Sequence, residues 1–561
     1  MTHLNIHQRA VAVPKVLRRC SATLATLLVA SGVAGCATAP IGDIPVAPAT
    51  QGAIAIAGDE TSATFWQQKG EATLVQALAR RPLERRARGI ILFVGDGMGV
   101  ATVTASRIYS GQASGASGEE SSLYFERFPH LSLMKTYNVN QQTPDSAGTM
   151  TAMISGVKTD AGLISVTAAT ERGDCESSQG NEIETLMQTL EARGWATGVV
   201  STARLTHATP AATYAHAPER GWEADSDVPE QERAKGCHDI ARQLIESPFG
   251  DGLEVAMGGG RRNFLPSELA DPEFPDERGR RLDGRHLGEE WAARPGAAWV
   301  WNQQQLDALD LSQTTHLLGL FNASHMQYEL DRRDDRGGEP SLSEMTRAAL
   351  QILMRDPDGY LLVVESGRID HAHHATNAIR AFEDTVELAN AVAAADELTA
   401  DEETLLLVTA DHSHVMTIAG YATRGNPILD VVRQNDHSGE PTGQPKLAED
   451  EQPYTTISYA NGRGGRLLPS ATTPAGGEQI YHEPITAQRR LEFTDIDTHD
   501  HGFHQESMVP LQSETHGGED VALYAKGPWA HLFSNTEEQS YLYYVMRLAA
   551  CDSCPENQGA N

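Results

Sequence analysis

Three segments far apart in the chain place carboxylates and imidazoles directly after apolar runs. Gly95-Asp96-Gly97-Met98-Gly99 follows Val94, Glu365-Ser-Gly-Arg-Ile-Asp370-His371-Ala-His373-His374 follows Val364, and Ala410-Asp411-His412-Ser-His414 follows Thr409. Asp370 and His374 are four apart, so on a helical turn they share a face and can grip one ion. Asp411 and His412 are adjacent, which serves ligation where a strand end turns. Mixed nitrogen and oxygen donors suit Zn²⁺ with a position left open for substrate. Asp96 and Glu365 offer oxygen alone, as Mg²⁺ prefers. His373 and His414 read as hydrogen-bonded histidines of the core or the surface rather than as ligands. A nucleophile lies in Thr143-Pro-Asp145-Ser146-Ala-Gly148, where Ser146 would open a helix. Free N–H groups and the helix dipole there favour an oxyanion or phosphate. Beside a bound metal the Ser146 hydroxyl needs no histidine base.

The elements that must position these groups are legible as well. Gly89–Val94, Tyr360–Val364 and Thr404–Thr409 are unbroken aliphatic and β-branched runs, and Trp195–Ser201 resembles them. Such runs are buried parallel strands, and ligands of open α/β sheets gather at strand carboxyl ends. The expected fold is α/β, with a central, largely parallel sheet flanked by helices. Ser62–Arg80 reads as an amphipathic helix burying Phe65, Leu74, Ala77 and Leu78. From Gly420 to Ser513, Gly, Pro, Asn and Gln rise and helical periodicity disappears, which suggests a loop-rich inserted subdomain. Ile457, Tyr459, Leu467, Tyr481 and Phe493 give that insert something to bury.

Composition narrows the partners. The 561 residues carry 44 Lys+Arg against 76 Asp+Glu, a formal charge of −32. That excess excludes nucleic acid as a stable partner and docking on anionic lipid by charge. Residues 1–35 hold Arg9, Lys15, Arg18 and Arg19 and no carboxylate, so without them the charge is −36. The apolar run after them, roughly 14 residues, is a signal-peptide core and too short to span a bilayer. Val33-Ala34-Gly35-Cys36 resembles a bacterial lipobox, whose cysteine is lipidated; the alternative is an ordinary cleaved signal containing a Cys. Either way the protein is exported, and the lipobox reading makes it a periplasmic or outer-membrane lipoprotein whose membrane contact is the lipid anchor. Residues 36–60 would then be a tether. Besides Cys20 and Cys36 there remain Cys175, Cys237, Cys551 and Cys554, an even number that favours two disulfides in an exported chain. Cys551-Asp-Ser-Cys554 has the spacing of a redox or metal motif too, but it lacks a second such pair.

Taken together, Asp96 in GDGMG, Ser146 in PDSAGT, HATP at His207–Pro210, VESGRIDHAHH, TADHSH and ETHGGEDV at Glu514–Val521 resemble alkaline phosphatases of the animal-like branch. The resemblance runs in order from about Gly89 to Cys551. It implies a phosphomonoesterase using two Zn²⁺ and one Mg²⁺ per subunit. One zinc would take Asp370, His374 and His516; the other would take Asp96, Asp411 and His412, with Ser146 as nucleophile. Magnesium would take Asp96, Thr209 and Glu365. Arg220 matches the phosphate-clamping arginine, and His207 and His371 stand just behind the metals. The resemblance further implies a Cys175–Cys237 disulfide, with a second bridge near Cys551 and Cys554 at a wider spacing than here. Glu273, Phe321 and Glu339 align with a calcium site whose fourth ligand, a Glu in the animal enzymes, is Asn322 in this chain. A catalytic core over residues 61–419 and 514–550 would carry a crown at 420–513, with a tail at 551–561. The family forms homodimers, in which Tyr421 would reach the partner's site. A phosphodiesterase, sulfatase or phosphonate-directed relative is the main alternative, but those usually lack Ser146 together with the Arg220 clamp. A surface lipoprotein that merely stores metal would not require Ser146 between metal ligands and an arginine. Unprotonated imidazole ligands imply activity rising with pH.

Overall fold

The computed structural model describes residues 60–464 and 496–551. The expected signal and tether, with Cys20 and Cys36, lie outside the described residues, as do Cys554 and the rest of the tail beyond 551. Among the described residues no helix is long and apolar enough to cross a membrane.

The four apolar runs form adjacent strands of one sheet. Its strands are β1 (Gly89–Gly95), β2 (His130–Lys135), β3 (Ala196–Arg204), β4 (Val255–Gly259), β5 (Ala297–Val300), β6 (His316–Leu320), β7 (Tyr360–Ser366), β8 (Thr404–Thr409), β9 (Val521–Lys526) and β10 (Thr536–Glu538). They run in the order β10-β2-β9-β8-β1-β7-β3-β4-β6-β5. The pairs from β8 through β5 are parallel, and β9 runs antiparallel to β8 and β2. Every residue of β1, β7 and β8 is buried. Helices on both faces take away the water-facing side, so an alternating pattern has no reason to exist there.

Register then delivers the chemistry. Val94 of β1 lies opposite Glu365 of β7 and Thr409 of β8, and Ser201 of β3 also lies opposite Glu365. Asp96, Glu365 and Asp411 therefore emerge together at one edge. Asp370 and His374 share the helix Arg368–His374, as the i, i+4 spacing predicts. Ser146 is the first residue of the helix Ser146–Ser155.

The amphipathic helix is present as Ala63–Ala79, but its expected apolar face is not buried: Phe65 is buried, whereas Leu74, Ala77 and Leu78 are exposed, as is Val75 beside them. Periodicity there reports a face that this chain alone does not cover. Within 420–513 the described residues form short strands. Ile457–Gly462 pairs with Met416–Ile418 and Glu506–Pro510, and Arg433–Asn435 pairs with Pro441–Pro445. Ile457 and Tyr459 are buried as expected, whereas Leu467, Tyr481 and Phe493 lie outside the described residues. Cys175 and Cys237 form a disulfide. Cys551 is also disulfide-bonded.

Candidate functional site

Asp370, His374 and His516 meet at a single point. His516 is brought in by a short antiparallel pairing of His516–Gly517 with Ser413–His414. His374 Nε2 and His516 Nε2 are 3.2 Å apart, and each lies 3.3 Å from Asp370 Oδ1. Each ring faces a backbone carbonyl through Nδ1, His374 at Glu514 O (2.6 Å) and His516 at Pro144 O (2.8 Å). A carbonyl only accepts, so each Nδ1 carries the proton and both Nε2 atoms present lone pairs. Two lone pairs and a carboxylate oxygen facing one another are repulsive unless a cation lies between them. Ligands about 2.0–2.1 Å from a tetrahedral zinc lie roughly 3.3–3.4 Å apart, which these spacings match.

A second point gathers Ser146, His412, Asp411 and Asp96. His412 Nε2 lies 3.2 Å from Ser146 Oγ, 3.2 Å from Asp411 Oδ2 and 3.5 Å from Asp96 Oδ1. His412 Nδ1 is directed at Ser413 O (3.3 Å), so Nε2 is again a lone pair beside carboxylate oxygens. Both Asp96 oxygens and Asp411 Oδ2 are buried with no hydrogen-bond partner. The other Asp411 oxygen accepts from the N–H groups of Gly97 and His412. Gly97 is required here: its φ is +71°, and a Cβ would come within 2.4 Å of the His414 ring.

The third group uses Asp96 again with Glu365 and Thr209. Thr209 Oγ1 and Glu365 Oε1 are buried without partners, while Ser201 Oγ donates to Glu365 Oε2. The His207 ring lies alongside. Its Nε2 accepts from Arg220 Nη2 (3.2 Å), so Nδ1 is an unpartnered N–H. In that tautomer His207 donates toward the site rather than ligating. Such unsatisfied buried oxygens are costly in a folded protein and fit a hard cation.

Electrostatics agree. Burial, compounded by the charges of Asp411, Asp370 and Glu365, pushes Asp96 well above the usual carboxylate range. Burial raises Glu365 to about 7 and raises Asp411 as well. Burial opposes ionisation of Asp370 too, yet the surrounding imidazoles, with His414 donating to Oδ1, hold it well below the usual carboxylate range. A cluster of carboxylates this crowded calls for positive charge.

Ser146 is held by its neighbour. The Asp145 side chain caps the helix through Gly148 N–H and receives Arg220 Nη1 at 2.9 Å. The Arg220 guanidinium is thus fixed beside the nucleophile, with its charge partly offset. Burial works against Asp145 ionisation, but Arg220 and the Gly148 N–H keep its carboxyl low.

His414 and His373 are hydrogen-bonded, as the sequence reading has them, and the structure places both in the core. His414 bridges Glu514 Oε2 (2.5 Å) and Asp370 Oδ1 (2.8 Å), and His373 lies between Thr102 and Tyr459. His371 lies against His325, ring centroids 4.0 Å apart and the planes tilted by 57°, and burial lowers it to about 3. His325 and Glu514 carry no sequence signal of their own in this role. His325 is reached through Arg204, which also makes a two-pronged pair with Glu223 (2.7 and 2.6 Å).

The calcium set lies apart and is internally engaged. Arg261 pairs with Glu273 at 2.8 Å, and Asn322 Nδ2 donates to Glu339 Oε1 at 2.7 Å. Ser324 N–H fixes the Asn322 carbonyl, and Gln327 N–H takes the other Glu339 oxygen. Asn322 thus turns a donor, not an oxygen ligand, toward Glu339. In this arrangement the residues do not fit a calcium ion.

Comparison with known proteins gives a consistent answer. Residues 87–552 match the family model described as alkaline phosphatase. The tissue-nonspecific alkaline phosphatase of Gallus gallus is 42% identical over 501 residues, covering 88% of this chain and 90% of that one. An alkaline phosphatase of Gadus morhua is 40% identical, covering 88% of this chain and 98% of its own. Among solved structures, the Thermus thermophilus alkaline phosphatase superposes with a TM-score of 0.56 at 23% identity, covering 84% of this chain and 93% of that one, a likeness of fold. This chain belongs to the alkaline phosphatase family.

Proposed function

We propose that the chain hydrolyses phosphate monoesters through a phosphoserine formed at Ser146. The observation that carries this is the convergence of Ser146 Oγ with His412 Nε2 at 3.2 Å beside Arg220, itself pinned by Asp145. Asp370, His374 and His516 would hold one Zn²⁺, Asp96, Asp411 and His412 the second, and Asp96, Thr209 and Glu365 an Mg²⁺. When bound, these cations supply Lewis acidity, favouring the ionised Ser146 hydroxyl and stabilising charge on the transferring phosphoryl and the leaving oxygen.

The chain's own groups do the rest. Arg220 donates from its planar fork to two phosphoryl oxygens and orients the phosphorus toward Ser146. Ser146 Oγ loses its proton and attacks; the phosphorus–Oγ bond forms as the bond to the alcohol oxygen breaks. The alcohol leaves with a proton equivalent to the one Ser146 gave up. Water then attacks the phosphoserine, the phosphorus–Oγ bond breaks, and Ser146 is reprotonated. Helix N-terminal N–H groups favour the anionic species throughout.

A parallel assay of a monoester and a diester tests the reading. The monoester should turn over faster and its hydrolysis should stop on chelation; a diester preference would point to another superfamily activity.

The finer assignments are also proposals. Exposed Leu74, Val75 and Leu78, with Tyr421 94% exposed, support a homodimer that covers these side chains. The basic, apolar and small-residue order of residues 1–36 supports export with a lipid on Cys36 and a tether at 36–60, and the short paired strands described within 420–513 support a crown there. Sedimentation of the metal-loaded protein checks the first, with a monomer the contrary result. The mass of the mature N-terminus checks the second, and an unlipidated Cys36 would refute it. No calcium enters the proposal.

A further inference from the structure

The sheet edge opposite Ser146 holds a second convergence of ligand-type side chains. Val255 of β4 lies opposite Gly198 of β3 and Leu317 of β6. One step earlier, Thr197, Glu254 and His316 therefore form a row on one face of three neighbouring strands, at their amino ends. Asp251 comes from the loop just before β4. The ligand atoms of Asp251, Glu254 and His316 all lie within 4.8 Å of one another, and Asp251 Oδ2 is 3.6 Å from His316 Nε2. Glu191, ending the helix Leu186–Glu191, backs the row: Thr197 donates from N to Glu254 and from Oγ1 to Glu191, each at 2.6 Å.

His316 is the informative member. It is 8% exposed, and its Nε2 is buried without a hydrogen-bond partner. Its Nδ1 lies 3.1 Å from Thr315 Oγ1, which can take the ring proton. Burial disfavours the charged ring and Arg294 adds to that, against the pull of the Asp251 charge and of the Asp251 and Gly252 backbone. A neutral ring whose Nδ1 proton goes to Thr315 Oγ1 leaves the Nε2 lone pair 3.6 Å from an Asp251 carboxylate oxygen. Burial also pushes Glu254 up to about 9 and Glu191 up to about 8, with neighbouring carboxylates contributing.

We propose that Asp251, Glu254 and His316 form a further divalent-cation site, remote from Ser146, taking a borderline transition-metal ion with Zn²⁺ as its probe. One imidazole with two carboxylates is a donor set that such ions accept and that Mg²⁺ or Ca²⁺ does not favour. The site is structural: it ties the loop before β4 to the first residues of β4 and β6. Asp251 is mostly exposed and can swing to close the set. Arg294 Nη1 packs near Gly252 and works against a bound cation, which limits affinity.

The test is equilibrium dialysis of full-length, metal-loaded protein against Zn²⁺, with bound metal measured by mass spectrometry. Wild type should hold one zinc more per chain than Asp251→Asn, whose exposed position leaves the fold intact, and both should hydrolyse a monoester equally. Affinity for that extra ion should fall at least about tenfold in Asp251→Asn, the low end of losses seen even for outer partners of a metal site. His316→Gln should abolish it. Equal zinc content in wild type and Asp251→Asn overturns the site, as does displacement of the extra zinc by Mg²⁺.

Discussion

Ser146→Ala should lower kcat/KM for a phosphomonoester by at least about 10⁴-fold, equivalent to roughly 5 kcal/mol of transition-state stabilisation. The size follows from what the hydroxyl is asked to do. It is the atom that bonds to phosphorus, and His412 Nε2, 3.2 Å away, faces two carboxylates rather than offering a second nucleophile. The substitution removes one oxygen from a buried residue whose helix cap belongs to Asp145, so the fold and the metal content should persist. That separation is what makes the result interpretable. Metal content and thermal midpoint should match wild type while turnover collapses, and acid quenching of the wild type under turnover should trap one phosphoryl group on Ser146. Retained turnover in Ser146→Ala, or a trapped phosphoryl group elsewhere, would defeat the mechanism.

How far such a site can be read from sequence depends on where its parts lie in the chain. Asp96, Glu365 and Asp411 were visible because each directly follows a strand whose burial on both faces leaves an unbroken apolar run. Asp370 and His374 were visible because helical spacing alone puts them on one face. His516, Thr209 and Arg220 lack such a local cue, and motif resemblance, not periodicity, brought them in. The partners that hold these groups were illegible. Glu514 reaches Asp370 through His414 and His374, and His325 meets His371 once β6, β4, β3 and β7 lie side by side. The helix Ala63–Ala79 shows the converse, since its pattern announced a buried face that this chain leaves exposed. The row of Thr197, Glu254 and His316 is likewise a product of register between strands dozens of residues apart.

The largest effect expected away from the nucleophile is at His414, which a sequence reading takes for an ordinary hydrogen-bonded histidine. Its Nδ1 faces Glu514 Oε2 and its Nε2 faces Asp370 Oδ1, at 2.5 and 2.8 Å. Glu514 also accepts from Val415 N–H through its other oxygen. Burial opposes charge on His414, but Glu514 and Asp370 dominate and raise it to about 10. An imidazole that donates at both nitrogens fixes Asp370 Oδ1 in place, and that same oxygen lies 3.3 Å from His374 and His516. His414→Ala removes the donor and leaves two buried carboxylates without it, a loss of about 3–5 kcal/mol in stability by analogy with broken buried ion pairs. The ligand oxygen loses its orientation as well, so zinc affinity at Asp370, His374 and His516 should fall by about 10–100-fold. A purely structural role would lower the unfolding midpoint and leave zinc affinity of the folded protein unchanged. A positioning role predicts that excess zinc restores much of the turnover in His414→Ala, and that His414→Gln, which can still donate to Asp370, recovers part of the affinity. Unaltered zinc affinity in both variants would reduce His414 to packing.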